Sequence, residues 1–237
     1  MQVNPLALII GVYASSILAY YAPVIGLVTA LMLEVVSVFQ SSLTSSCLGW
    51  TPYADLCFTY SRDAVAIALV ALVSGVLALL QTKPKQPRKI LAMFIAVHAS
   101  LYMLALSSSA GSAMLSWELL LVSTTLLLAL DNRRLALNYF AYMQLGSMLV
   151  LVALSGLTMI GPTLVIGALI LLGVSVKMGV YPLHLGLANA YDASRPEIAA
   201  LLSSTAPAGV LLCVNASRYM NIEYPEQAAW QARWPLS

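Results

Sequence analysis

Lys177 places an ammonium in the middle of an apolar run that extends from Leu164 to Leu187. A charge at the centre of a bilayer costs about 2.5 to 3.5 kcal/mol on insertion scales. Such a group must face a wet cavity, pair with an anion or shed its proton, and each of these belongs to the chemistry of ion movement. Glu118 supplies a candidate anion from a second apolar run, Met114-Leu-Ser-Trp117-Glu118-Leu-Leu. Burial favours a neutral amine and a nearby carboxylate favours the ammonium. Moving the carboxylate would therefore switch a lysine between holding and releasing its proton. His184 follows Lys177 by seven residues, so on a continuous helix the two share a face about 10 Å apart along the axis. Lys177 in the core and His184 nearer the interface read as two stations of a proton path. Trp117, beside the carboxylate, reads as packing.

Other polar residues within the apolar runs are weaker candidates. His98, in a run with Ser100 and Tyr102, is a relay or a hydrogen-bonded structural histidine. Glu34 is a possible relay that could pair with a neighbouring subunit or face a water defect in the lipid. Ser203 and Thr205 are possible relay hydroxyls, and Asp63 is placed to cap a helix. Cys47 and Cys57 share one loop and could form a disulfide in an oxidising compartment, while Cys213 reads as packing. Asn215-Ala-Ser217 matches a glycosylation acceptor but lies at a membrane end. The sequence carries no Gly-rich phosphate loop, CxxC pair, HExxH or nucleophile elbow. No cofactor, metal site or covalent chemistry is expected of the chain alone, and no basic patch interleaved with aromatics points to nucleic acid.

The elements that position these residues are membrane spans. Of 237 residues, 61% are hydrophobic and only 8% charged, against about a quarter charged in soluble domains. Eight apolar runs can be drawn, at roughly 5–22, 23–40, 64–81, 90–109, 110–130, 135–157, 160–184 and 197–216, each near the about 20 residues that a helix needs to cross a bilayer. They are too long for barrel strands. The expected fold is all-α, a polytopic helical bundle of about eight spans, with the seventh broken at Pro182. Broken helices in transporters line cavities where ions meet the backbone. Three segments are expected: 1–63, two spans and an outward loop; 64–219, a core of six spans; and 220–237, an exposed tail. The loop at 41–63 allows a short hairpin.

Charge fixes the expected orientation. Lys83, Lys85, Arg88 and Lys89 lie between the third and fourth runs, and Arg133 and Arg134 between the fifth and sixth. Both loops follow odd-numbered spans, so the positive-inside rule makes their side cytoplasmic and turns the N-terminus outward. Positions 1–4 lack the basic region of a signal peptide, so the first run is expected to be retained. An energy-coupling membrane, the cell membrane or its equivalent, is the expected location.

The motifs Trp117-Glu118-Leu and Lys177-Met-Gly-Val-Tyr-Pro182-Leu-His184, followed by Leu187-Ala-Asn189-Ala-Tyr191-Asp192-Ala-Ser-Arg195-Pro196, resemble the antiporter-like membrane subunits of respiratory complex I. The same family includes Mrp-type cation/proton antiporter subunits and the membrane arms of energy-converting hydrogenases. The resemblance runs from about Tyr60 to Tyr219. It implies a five-helix repeat in which Glu118 and Lys177 form a switchable ion pair driving protons along a hydrophilic axis, with His184 in the family's P-x-H motif. It also implies redox partner subunits, as in an NADH dehydrogenase or hydrogenase-type complex. Family members have about fourteen helices in two inverted repeats, and this sequence stops after eight. Where the family's stretch has tryptophan, proline and aspartate, this sequence has Gly186, Ala188 and Asn189. A second lysine or histidine in helix eight is replaced by Ser203, Ser204 and Thr205. The resulting expectation is a proton- or sodium-translocating subunit of a multisubunit redox-driven complex. Its rivals are a scaffold subunit with a non-conducting remnant channel and a stand-alone homo-oligomeric antiporter.

Overall fold

Hydrophobic runs become helices in sequence order in the computed structural model, which describes residues 4–38, 45–51, 54–82 and 87–219. The expected tail at 220–237, and Lys83 and Lys85 of the basic loop, lie outside the described residues. The first two helices, α1 (Pro5–Tyr21) and α2 (Pro23–Val38), form a tight antiparallel pair. Asn4 caps α1 by accepting from the Leu6 amide, and Pro5 follows at the first helical position, where a missing N–H does no harm. Gly26 permits the close pairing, because a Cβ there would fall 2.4 Å from the Ala19 nitrogen.

A two-stranded antiparallel hairpin follows, β1 (Ser45–Thr51) and β2 (Ala54–Thr59). Cys47 stands opposite Cys57 in its register, and a disulfide joins them. Four long helices come next: α3 (Arg62–Thr82), α4 (Pro87–Leu106), α5 (Ala110–Ala129) and α6 (Arg133–Ile160). The central helix is α4, in which every residue from Val97 to Leu106 is buried. It packs against α1, α2, α3 and α5. Large apolar side chains point outward elsewhere, among them Leu164 at 91% and Ile160 at 77% exposure. Such surfaces suit lipid or a neighbouring subunit and no aqueous face.

The last third of the chain contains two breaks. Helix α7 (Leu164–Met178) ends where Gly179 takes a left-handed conformation at φ 67°, and the Gly179 and Val180 amides return to the Val176 and Ser175 carbonyls. This C-cap satisfies the helix end one turn after Ser175. A turn containing a cis Tyr181–Pro182 bond then leads into α8 (Leu185–Ala193). The expected break in the seventh run is thus present. A second break divides the eighth run into α9 (Pro196–Ser203) and α10 (Pro207–Tyr219), where a continuous span was expected. Pro207 has no amide to continue the helix and disfavours helical backbone at Ala206.

Among the described residues, α3, α4, α5, α6 and the α9–α10 unit are long and apolar enough to cross a membrane, and α1, α2 and α7 are shorter apolar helices. The chain is an all-α, multi-pass membrane protein with one hairpin at its edge.

Candidate ion-translocation site

The hairpin positions the helix that carries the carboxylate. Ser109 and Ser112 form a capping box at the start of α5, each hydroxyl serving the other's backbone amide. The same hydroxyls donate to the hairpin, Ser109 Oγ to the Asp55 carbonyl at 2.6 Å and Ser112 Oγ to the Cys57 carbonyl at 2.7 Å. The disulfide-linked strands and the first turn of α5 are therefore one hydrogen-bonded unit. Two turns further along α5 come Trp117 and Glu118.

Lys177 reaches this point from α7. Its Nζ is buried without a hydrogen-bond partner and lies 4.3 Å from the centroid of the fully buried Trp117 ring. Glu118 is the charged group that acts on Lys177 through space. No direct ion pair joins them. The Glu118 carboxylate instead accepts from Ser147 Oγ of α6. A cation–π contact supplies about 0.5 to 2 kcal/mol, less than burying an ammonium at bilayer depth costs. The lysine is held by a ring face and a carboxylate at a distance, and neither completes its hydrogen bonding.

Two glycines set the spacing between α6 and α7. A Cβ on Gly146 would meet the Gly173 carbonyl at 2.8 Å, and one on Gly173 would meet the Gly146 carbonyl at 2.5 Å. Small residues that let backbones touch are a recurrent means of joining helices in membranes. Here they set Ser147 and Lys177 on adjoining helices around Glu118.

His184 is not continuous with Lys177. The helix ends at Met178, so the shared face expected of an unbroken helix is absent, and the cause is the left-handed turn at Gly179. His184 instead occupies the N-cap position of α8 without a capping bond from its side chain. It stacks against Tyr181 at 5.6 Å, and its Nδ1 is buried without a partner. Ser203 and Thr205 spend their hydroxyls on the Ala200 and Leu202 carbonyls of their own turn, and Ser203 faces outward. Neither is brought to the Lys177 site. Asp63 lies inside the first turn of α3, one residue past its start at Arg62 and so not at the N-cap, where a carboxylate suits the positive end of the helix.

The surroundings of Glu34 differ from those expected. The residue is completely enclosed, facing neither lipid nor a partner, and its Oε1 lies 2.6 Å from His98 Nε2 on α4. The pairing of α2 with α4 brings the two together, a tertiary contact invisible in either run alone. Asn215, in the discounted glycosylation motif, is buried and donates to the Leu104 carbonyl and to Ser107.

Several participants carried no mark in the sequence. Trp117 was legible only as packing and Ser147 not at all, since hydroxyls are common in spans. Arg195 Nε donates to Asp131 at 2.6 Å, its backbone amide donates to the other carboxylate oxygen at 2.8 Å, and its guanidinium also meets Glu197 at 3.2 Å. This clamp ties the turn between α8 and α9 to the end of α5. Tyr13, Ser100 and Ser123 link α1, α4 and α5 by hydroxyl contacts of 2.8 and 3.3 Å.

No protein-family model and no curated protein matches the sequence. Solved structures match the fold. One chain of the membrane-bound sulfane sulfur reductase, an archaeal respiratory membrane complex, superposes with a TM-score of 0.73 at 21% identity, over 90% of this chain and 40% of that one. A chain of the Mrp complex from Dietzia sp. DQ12-45-1b superposes with a TM-score of 0.76 at 19% identity, over 92% of this chain and 28% of that one. The chain spans less than half the length of either. Its fold is that of chains found in an Mrp complex and in a respiratory membrane complex, the fold implied by the resemblance of its Glu118 and Lys177 motifs.

Proposed function

We propose that this chain is an ion-translocating membrane subunit, moving protons or sodium ions as part of a larger membrane complex, with Glu118 and Lys177 as its switch. The observation that carries the reading is the Lys177 ammonium, buried at the end of a broken helix with no hydrogen-bond partner. Glu118 has two possible neighbours, Ser147, which it now holds, and Lys177, which it does not touch. Exchange of one for the other changes the charge that Lys177 sees, and with it whether the lysine keeps its proton. Trp117 holds the ammonium face while the carboxylate is away. His184, beyond the break, receives the proton toward the basic loops. That side is cytoplasmic in this reading, with the N-terminus and the disulfide-linked hairpin outside and redox subunits as partners.

The test uses membrane vesicles containing the intact complex and reads ion-driven proton movement by fluorescence quenching. Lys177→Ala and Glu118→Gln are each expected to remove transport while leaving the amount of assembled complex unchanged. Wild-type flux from a fully assembled Lys177→Ala complex would overturn the assignment. Purification in gentle detergent reports the partners, and stoichiometric redox subunits are the expected companions.

A further inference from the structure

The Glu34–His98 contact takes no part in the Lys177 site. Both side chains are enclosed, at 0% and 2% exposure, within the apolar helices α2 and α4. They touch at 2.6 Å, yet the contact is not aligned as a hydrogen bond, and neither Glu34 oxygen nor His98 Nε2 has another partner. One helical turn along α4 toward the hairpin end, the Tyr102 hydroxyl lies beside Ser37, with Glu34 and Tyr60 acting on it through space. Tyr60 lies between β2 and α3 and is itself 7% exposed. The Tyr102 and Tyr60 hydroxyls are also buried without an aligned partner. Glu34, His98 Nε2 and Tyr60 thus lack an aligned hydrogen bond, and Tyr102, between them, has only its unaligned contact with Ser37. Buried polar groups held for packing alone are nearly always satisfied, so a row of exceptions calls for something that visits it.

We propose that Glu34 and His98 together form a second proton-binding site, filled from the hairpin end of the bundle past Tyr60 and Tyr102. With one proton the pair is neutral, either as imidazolium beside carboxylate or as imidazole beside carboxylic acid. Gaining or losing a proton leaves a net charge in apolar surroundings, so exchange is coupled to charge moving elsewhere in the protein. Burial pushes the Tyr60 phenol up to about 12, so it remains a hydroxyl at neutral pH, able to accept a proton at oxygen and release its own. Among the described residues no other charge competes for the pair. Arg62 and Asp63 of α3 and Asp55 of β2 are exposed, Tyr13 of α1 bonds Ser100, and Glu118 of α5 is held by Ser147. On α10, Cys213 is half-buried and Arg218 donates to Ser61. For its purpose the site rests on the transport reading, but its existence can be measured without transport.

Infrared difference spectra of the complex, taken across a pH series, read the site directly. In wild type a carboxylic acid band and an imidazole band are expected to change together. Glu34→Gln removes the first, and His98→Gln removes the second and shifts the first. Tyr102→Phe keeps both bands and slows their exchange into heavy water about tenfold or more. Lys177→Ala keeps both bands even where transport is lost, so failure of the switch and failure of this site are separable. A wild-type spectrum without a titrating carboxyl band that Glu34→Gln abolishes would overturn the proposal. If Glu34→Gln does not assemble, Glu34→Asp serves instead, and a spectrum identical to wild type in that variant overturns it equally.

Discussion

At the scale of single residues, the site is defined by what Lys177 lacks. A buried ammonium with a ring face for company makes Trp117 more than a packing residue. Trp117→Leu should keep the volume apolar while removing the quadrupole, and flux in vesicles should fall severalfold with assembly preserved. Ser147→Ala should free the Glu118 carboxylate from its present hydrogen bond. Buried acceptors that lose a donor cost about 1 to 3 kcal/mol, which here pushes Glu118 toward its other neighbour. The expected outcome is flux reduced yet measurable, in contrast to the complete loss in Glu118→Gln, and identical flux in the two variants would show that Ser147 does not compete for the carboxylate. Glu118 and Lys177 were legible in the sequence because a charge in an apolar run stands out against its surroundings. Ser147, Trp117 and the partner of Glu34 were not, because their meaning arises only when helices distant in sequence touch.

Helices and turns set the distances. The Gly146–Gly173 approach leaves no room for a side chain on either helix. Gly173→Val should force α6 and α7 apart and lower stability by about 1 to 3 kcal/mol, the usual range for overpacking, read as an earlier thermal unfolding in detergent. The break after Lys177 was readable from Pro182, since proline within a span interrupts its ladder. The helix nevertheless ends at Gly179, three residues earlier, because a left-handed glycine cap is the more effective stop. The second break at Ser204 to Ala206 was missed, because Ser203 and Thr205 read as relay hydroxyls within a span and Pro207 lies where a helix can also begin. Gly186 shows how a departure from the family's pattern is accommodated. A Cβ there would fall 2.1 Å from the Tyr142 ring, so the tyrosine fills the space beside the backbone and donates to the Leu183 carbonyl. Arg195→Ala should loosen the turn between α8 and α9 from Asp131, and faster amide exchange in α8 and α9 is the expected readout.

At the scale of the molecule, the order of the apolar helices could be read directly from the runs, and the boundaries of α1 to α6 fall within a few residues of them. Orientation is set by charge, and the exposed Arg88, Lys89, Arg133 and Arg134 begin α4 and α6 at one end of the bundle. A cysteine replacing Arg88 should react with a membrane-impermeant thiol reagent only from the cytoplasmic side, and Cys47 and Cys57 only from outside after reduction. The reverse pattern would invert the topology. The lengths of the outermost helices have a further mechanical meaning. With 17 and 16 residues, α1 and α2 extend about 26 and 24 Å, against a hydrocarbon thickness of about 30 Å. Their outward-facing side chains, Ile10, Ile17, Val24 and Met32 among them, form a belt that over the described residues is shorter than such a film. Where lipid rather than a neighbouring subunit covers that flank, a bilayer of ordinary thickness must thin or the flanking residues snorkel, and the strain lies beside the helix pair that holds Glu34. Acyl-chain length thus becomes a variable of the protein itself, and thin, short-chain bilayers are the ones in which this edge is at rest.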